Sequence, residues 1–488
     1  MGLGKLGQSG LGVLTAGAVL LVIVLAGIFL ITAPIPGGVN TNPTQLAHFS
    51  SYEELVTALQ KAGNSGYGDY YSRGGVMPMF GEMATNTVSK ATALDSSSQS
   101  SSTDYSKTNI QVEGVDEADI IKNDGKYIYA ISNGKLNIVD AFPAENAKII
   151  STIDLNGLTP TEMFISENSN KLVLFANGNG GYYSYYPTSA KMTNTVTSSR
   201  IMPWGGYNST AVIIYNISDK SNPTIDKQID FEGSYLNSRL IGKYAYFVIN
   251  SYPTYTAYNE LGESTDSNNI IPLMRVNGVQ ERIAMPTEIG IMPRVMPRSF
   301  ITIASLNLEN LDLAKETVLG SANNLYSSQN NLYLAEKIWE YSDYNGPIPI
   351  EAGMLVKSIY FPNIGTTQKT TISKFNLNNG KVTFTGQGVA PGSILNQFSM
   401  DEYNNNFRIA TTVQNYNPIN YESTTNNNVY VFNSDMNMVG AIEGIAPNET
   451  IYSARFMGDK GYLVTFKTVD PLFAVSYTHL TLPTIYSV

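Results

Sequence analysis

The chain has 488 residues, with 30 Lys and Arg against 40 Asp and Glu, a formal charge of −10, no cysteine and two histidines. Disulfides, thiol nucleophiles and Cys-ligated zinc are therefore excluded, and the acidic balance argues against a nucleic-acid partner. His48 and His479 stand at opposite ends of the sequence, which leaves no HExxH helix and no basis for a Ser-His-Asp triad. There is no GxxxxGK[ST] loop and no GxSxG elbow. The string DEAD at 116–119 therefore carries no helicase reading.

In chain order, residues 11–33 form an uncharged apolar run of 23 positions, long enough for one membrane-spanning helix. Lys5 precedes it, so the expectation is an uncleaved signal anchor with a short cytoplasmic stub, residues 1–36 in all. A cleaved signal peptide is the rival, although the run exceeds the usual apolar region of one. On this reading the protein is a single-pass cell-membrane protein, bound to the membrane through that helix, and everything downstream lies outside the cytoplasm. Pro34 and Pro36 end the helix. The spacing of Ser51 and Glu54 then predicts a capped helix over 52–62, stopped at Gly63. The rest of 37–107, including SSSQSS at 96–101, reads as a Gly/Ser-rich linker.

From 108 onward one cassette recurs: a turn, a Tyr-rich strand and a strand like LNIVD, with units starting near Ala118, Thr161, Tyr235, Ala322, Ile394 and Ile451. Tyr reaches 32 and Gly 41 while charged residues make up 14%, a composition suited to short strands and turns. Units too small to bury their own apolar faces must stack on one another. The predicted fold is all-β: a β-propeller of four-stranded blades over 108–475, five complete and part of a sixth. A sandwich or β-helix would not repeat its strand order this way. Insertions between second and third strands fall at 177–210, 250–299, 336–370 and 412–428, against two residues (133–134) in the first unit. In a propeller these connections share one face, which marks it as the elaborated, binding face.

Those insertions are aromatic, with Tyr185, Tyr255, Trp339 and Tyr341 as candidate ligand-binding residues, and YNPINY at 416–421. Arg275, Arg282, Arg294 and Arg298 form a basic cluster in the third insertion. First strands line a propeller's channel, which makes Asp119, Glu162, Arg239, Gln397 and Arg455 candidate channel residues. Glu113, Asp116, Glu117 and Asp119 crowd four carboxylates into seven residues, so Glu113, Asp116 and Asp119 are candidate calcium ligands. Sequons at Asn208, Asn216 and Asn448 are compatible with a surface location.

The stretches VEGVDEADIIKNDGKYIYAIS (112–132), LNQFSMDEYN (395–404) and IYSARFMGDKGYLVTFKTVDPLF (451–473) resemble a family of secreted or membrane-anchored archaeal and bacterial proteins. That family carries a carboxy-terminal β-propeller distantly related to WD repeats. The resemblance implies a propeller outside the cytoplasmic membrane and transfers no catalytic residue. The LNIVD strands also resemble LVIVD-type surface repeats. After DPLFAV the blade pattern breaks, and SYTHLTLPTIYSV (476–488) resembles a translated sequencing-adapter tail, so those residues are expected to be non-native. The functional expectation is an extracytoplasmic binding module for a glycan, a peptide or an envelope protein, with no cofactor other than calcium. The alternative is a carboxylate-dependent hydrolase or lyase at the channel mouth, built on Asp119 and Glu162.

Overall fold

The computed structural model describes residues 23–24, 43–64, 110–178, 209–253, 270–295, 297, 299–342, 365–417 and 422–467. Within them the repeats fold as antiparallel sheets that follow one another along the chain. The first blade is Ile121–Asn123, Tyr127–Ser132, Lys135–Asp140 and Lys148–Asp154. Its central hairpin turns on Asn133 and Gly134, both left-handed with φ of 52° and 70°, the backbone a two-residue hairpin requires. The second blade is built on Leu158–Ser166, Lys171–Gly178, Ser209–Asn216 and Thr224–Glu232, and the third on Ser234–Ile241, Tyr244–Ser251, Ser299–Asn307 and Leu313–Gly320. The fourth is Asn324–Ser327, Asn331–Ser342, Gly365–Asn378 and Lys381–Pro391, and the fifth Met400–Tyr403, Asn406–Asn417, Glu422–Phe432 and Met438–Ile445. A sixth sheet contains Thr450–Met457 and Lys460–Phe466. Among the described residues no sheet closes on itself.

Period-two alternation gives every blade two apolar faces, and each face meets the next blade. Tyr129, Leu136 and Ile138 of blade one pack on Met163, Leu172 and Leu174 of blade two. The opposite face of blade two, with Phe164, Val173 and Phe175, packs on Phe247, Ile249 and Phe300 of blade three. Val248, Ile301 and Ile303 then meet Leu332, Leu334 and Phe375 of blade four. Tyr333, Ala335 and Ile372 meet Phe407, Ile409 and Tyr430 of blade five. Ala410 and Val429 meet Ile451 and Ala454 of the sixth sheet. Each fully buried large side chain contributes about 1.5–3 kcal/mol of burial, so the stacking between blades holds the series together.

The helix runs from Tyr52 to Asn64. Ser51 Oγ accepts from the Glu54 N–H (3.3 Å), while the Glu54 carboxylate accepts from the Ser50 N–H (2.8 Å). Leu55, Val56 and Leu59 lie on one stripe and are buried in the core shared by blades two and three, beside Ile283 and Ile289. Just upstream, Ala47–His48 pairs with Gly290–Ile291, which lies parallel to the outer strand of blade three.

Three expectations about the insertions are corrected. The described parts of 336–370 and 412–428 are not loop: the central hairpins of blades four and five continue as ladders to Ser342/Gly365 and Asn417/Glu422. The third insertion contributes its own hairpin, Leu273–Val276 and Val279–Arg282, which adds to the outer strand of blade two and makes a six-stranded sheet. Arg275 there is no free basic residue, since its guanidinium lies 3.9 Å from the Asp230 carboxylate. Arg298, Tyr185, Tyr255 and the expected tail at 476–488 lie outside the described residues. Of the apolar run 11–33, only Ile23 and Val24 are described. They pair antiparallel with Gly461 and Lys460 rather than in a helix. No helix among the described residues is long and apolar enough to cross a membrane.

Candidate functional site

Residues 111–123 form a strap that visits blades five, four, three and two in turn before becoming the first strand of blade one. Gln111 Nε2 donates to the Met400 carbonyl of blade five (3.0 Å). The Glu113 carbonyl accepts from Gln329 Nε2 of blade four (2.9 Å). Val115–Glu117 then pairs antiparallel with Arg239–Ile241 on the first strand of blade three. Asp119 and Met163 exchange backbone hydrogen bonds on the first strand of blade two (3.2 and 2.9 Å). Ile121–Asn123 is the first strand of blade one. Gly114, with φ of 78°, makes the bend between the second and third of these contacts.

Side chains from these same strands converge on Arg239, a guanidinium only 2% exposed. It donates to Asn237 Oδ1 (2.6 Å), the Ser238 carbonyl (2.6 Å) and Gln397 Oε1 (3.0 Å), and stands 3.7 Å from a Glu117 oxygen. Gln397 Nε2 donates to the other Glu117 oxygen (3.3 Å), so Gln397 bridges the ion pair. Glu162 faces the same cluster. Burial pushes its carboxyl above the usual carboxylate range, opposed by a hydrogen bond with Tyr235 and by the Arg239 charge. The Tyr235 hydroxyl, 2.6 Å from Ser238 Oγ, is itself driven well above the ordinary phenol range by burial, with the adjacent Glu162 charge adding to the shift. Fixed, mutually satisfied groups of this kind specify a geometry, and a buried charge is tolerated because it is paired.

Four of the five candidate channel residues, Asp119, Glu162, Arg239 and Gln397, are thus drawn to one centre. Arg455 lies at its margin, its guanidinium 5.3 Å from the Phe398 ring. Two of the expected calcium ligands, Asp116 and Asp119, have partners of their own. Asp116 binds Lys122 (2.8 Å), Glu117 serves Arg239 and Gln397, and Asp119 Oδ1 accepts from the Ile120 N–H (2.7 Å). Among the described residues no three His, Cys, Asp or Glu groups converge as a metal site. The sequence reading missed Asn237 and Tyr235, which differ little from ordinary strand residues. It took Glu117 as one acid of a cluster, since VDEADI carries no period-two alternation to mark Val115–Glu117 as a strand.

Two other regions are open to a partner. The hairpins of blades four and five use strands of 12 and 14, and 12 and 11 residues, where the matching strands of blade one have six. At ~3.3 Å per residue, six further residues carry the first strand of each hairpin ~20 Å past that shorter pair. Trp339 stands opposite Gln368 and Tyr341 opposite Thr366, on strands rather than on the loop expected for them. Gln368 Nε2 donates to Gln414 Oε1 (3.4 Å), tying one hairpin to the other. At the opposite ends of the strands, a cleft of about 500 Å³ lies between blades three and four, lined by Tyr244, Asn307, Asp312, Glu316, Asn379 and Lys381. Burial raises the Glu316 carboxyl there, and the Lys381 charge opposes the shift.

A family model described as a beta propeller domain matches residues 105–487. The chain belongs to this β-propeller family. Its relatives include an uncharacterized protein of Methanocaldococcus jannaschii, 27% identical over 447 residues, covering 80% of this chain and 63% of the relative. An uncharacterized protein of Archaeoglobus fulgidus is 26% identical over 447 residues, covering 77% of this chain and 62% of that one. This propeller chain therefore spans less than two thirds of the length of either relative. Among solved structures, a Lactobacillus plantarum protein aligns with a TM-score of 0.21 and 10% identity, over 70% of this chain and 86% of that one. A chain of a Saccharomyces cerevisiae dbp5, nup159 and gle1 complex aligns with a TM-score of 0.20 and 8% identity, over 74% and 88%. Alignments at these scores carry no argument.

Proposed function

We propose that the protein is a non-catalytic binding module whose recognition surface is the pair of projecting hairpins on blades four and five. The observation that carries this reading is their geometry. The backbone of both is held by continuous ladders, the hairpins are tied together at Gln368 and Gln414, and Trp339 and Tyr341 sit on rigid strand. Aromatic positions among uncharged Gln, Asn and Thr match the faces and hydroxyls of a glycan, and preordered backbone lowers the entropic cost of binding. A peptide or an envelope protein is the other class of ligand that such a surface accommodates. Membrane anchoring through residues 11–33, with the propeller outside the cytoplasm, belongs to the same proposal and rests on the length and flanking charge of that run.

The hydrolase reading has less support, because Glu162 is engaged by Tyr235 and Arg239 and Asp119 by the adjacent backbone. The test is a glycan and peptide array probed with the intact chain and with a Trp339→Ala/Tyr341→Ala double variant. Glycan binding lost in the variant supports the proposal. Binding that survives in the variant, or hydrolysis of an arrayed glycan, contradicts it.

A further inference from the structure

The faces that meet between blades three and four are apolar along most of their length and change character at one end. On the outer strand of blade three, Leu313–Gly320, alternate residues share a face. Val318 on that strand is buried among Ile301, Ile303, Val382 and Phe384. Two residues before it the same series carries Glu316, and two before that Ala314, and there the interface opens into the cleft of about 500 Å³. A carboxylate thus stands where a packing side chain would continue the core, and the small Ala314 leaves the space beside it unfilled. The far wall is the Asn379-Gly380 turn of blade four, with Gly380 at φ of 83°. The Gly380 N–H donates to the Tyr246 hydroxyl (3.2 Å), and a Cβ there would lie 2.6 Å from the Tyr244 ring. Glycine therefore lets the ring stand against the turn as a fixed wall of the cleft.

Two charges in this cleft are left without a direct partner. Glu316 is half-buried, and among the described residues its carboxylate accepts no hydrogen bond and makes no ion pair. Lys381, the residue after the turn, attracts it without reaching it. Their neighbours are satisfied: Asp312 accepts from the Asn310 amide (2.6 Å), and Lys243, over the Tyr244 ring, pairs with Glu309 (2.6 Å). A carboxylate withdrawn from water without a donor costs free energy, which a bound donor offsets. The geometry points to a binding site for a small zwitterion of the free α-amino acid class, its ammonium on Glu316, its carboxylate on Lys381 and its side chain against Tyr244 and Val382. A neutral polyol would leave both charges unanswered. A simple anion would face Glu316, and a simple amine would face Lys381, so only a molecule carrying both signs suits the pair. The cleft has the size of a small-molecule pocket.

Calorimetric titration of the intact chain with each common L-amino acid in turn, and with ethanolamine, acetate and glucose, tests the site. The inference expects at least one amino acid to bind with a dissociation constant below about 1 mM. The amine, the carboxylate and the sugar alone should each bind at least about tenfold more weakly than that amino acid, since each lacks one of the two charge-assisted contacts. Glu316→Gln and Lys381→Met should each weaken amino-acid binding by about tenfold or more for the same reason. Ala314→Leu keeps both charges and fills the cleft. It should abolish binding, and it repeats the readout if either charge substitution disturbs folding. The Trp339→Ala/Tyr341→Ala variant should bind the amino acid as the parent does, so a failure of the hairpin surface and a failure of this site are separate results. Three outcomes would overturn the inference: no amino acid binds, glucose or ethanolamine binds as tightly as the best amino acid, or binding is unchanged in Glu316→Gln.

Discussion

The hub around Arg239 and the projecting hairpins use different residue types to opposite ends. In the hub, a strap of carboxylates and a buried arginine meet four blades, and Asp116, Glu117 and Arg239 find their partners inside the molecule. Over the described residues of the hairpins the backbone is paired, and the polar and aromatic positions of their longer strands extend past the shorter pair of blade one. A charged cluster at the centre of a propeller is therefore no sign of a ligand by itself. The acids and arginine that looked most like a site engage one another, and the described part of the segment that looked like loop is paired strand.

The largest expected effect falls on the hub. Arg239→Met leaves half-buried Glu117 and the Asn237 and Gln397 oxygens without their cation and should cost about 3 kcal/mol in urea unfolding of the intact chain. Adding Glu117→Gln should recover much of that loss, since an uncharged pair is no longer stranded. Additive losses in the double variant would break the contrast between hub and hairpin. Next in size is Gln397→Ala, which removes the bridge between Arg239 and Glu117 and should cost about 1–3 kcal/mol.

Glu162→Gln sharpens the contrast through pH. Burial raises the Glu162 carboxyl in the folded protein, so the folded state holds that proton more tightly than the unfolded chain does. The stabilisation is complete below the ordinary carboxylate range and is lost as pH rises through the folded value. The glutamine variant should therefore melt higher than the parent at neutral pH and equally at acid pH. A lower melting temperature at neutral pH would show that ionised Glu162 supports the Arg239 cluster. Smallest for stability is Trp339→Ala/Tyr341→Ala, expected to change unfolding by under about 0.5 kcal/mol while weakening ligand binding by more than about tenfold.

The blades were readable because DG and NG turns and alternating strands are local signals, and the expected starts at Thr161, Tyr235 and Ile451 all fall on strands seen in the structure. Asp119, Glu162, Arg239 and Gln397 were readable as a group because each lies on or beside a blade's first strand. The strap was not, since its partners Met400, Gln329 and Arg239 are more than a hundred residues away and leave no local pattern. The hairpin extensions were read as loop because Thr, Gln, Asn and Tyr alternate weakly in hydropathy, and their order comes from backbone pairing. Leu273–Arg282 was within reach, since the Asn277-Gly278 turn, with φ of 47° and 86°, is a hairpin signal in its own right.

Amide hydrogen exchange over 112–123 in the intact chain tests the central claim most directly. If the strap is part of the hub, the Asp119 amide and those of Val115–Glu117 that pair with Arg239–Ile241 exchange as slowly as the central strand Tyr244–Ser251, and Arg239→Met speeds them. Exchange of these amides at the rate of an open segment, with Tyr244–Ser251 still protected, would contradict a structural hub and return the carboxylates of 113–119 to the list of free ligands.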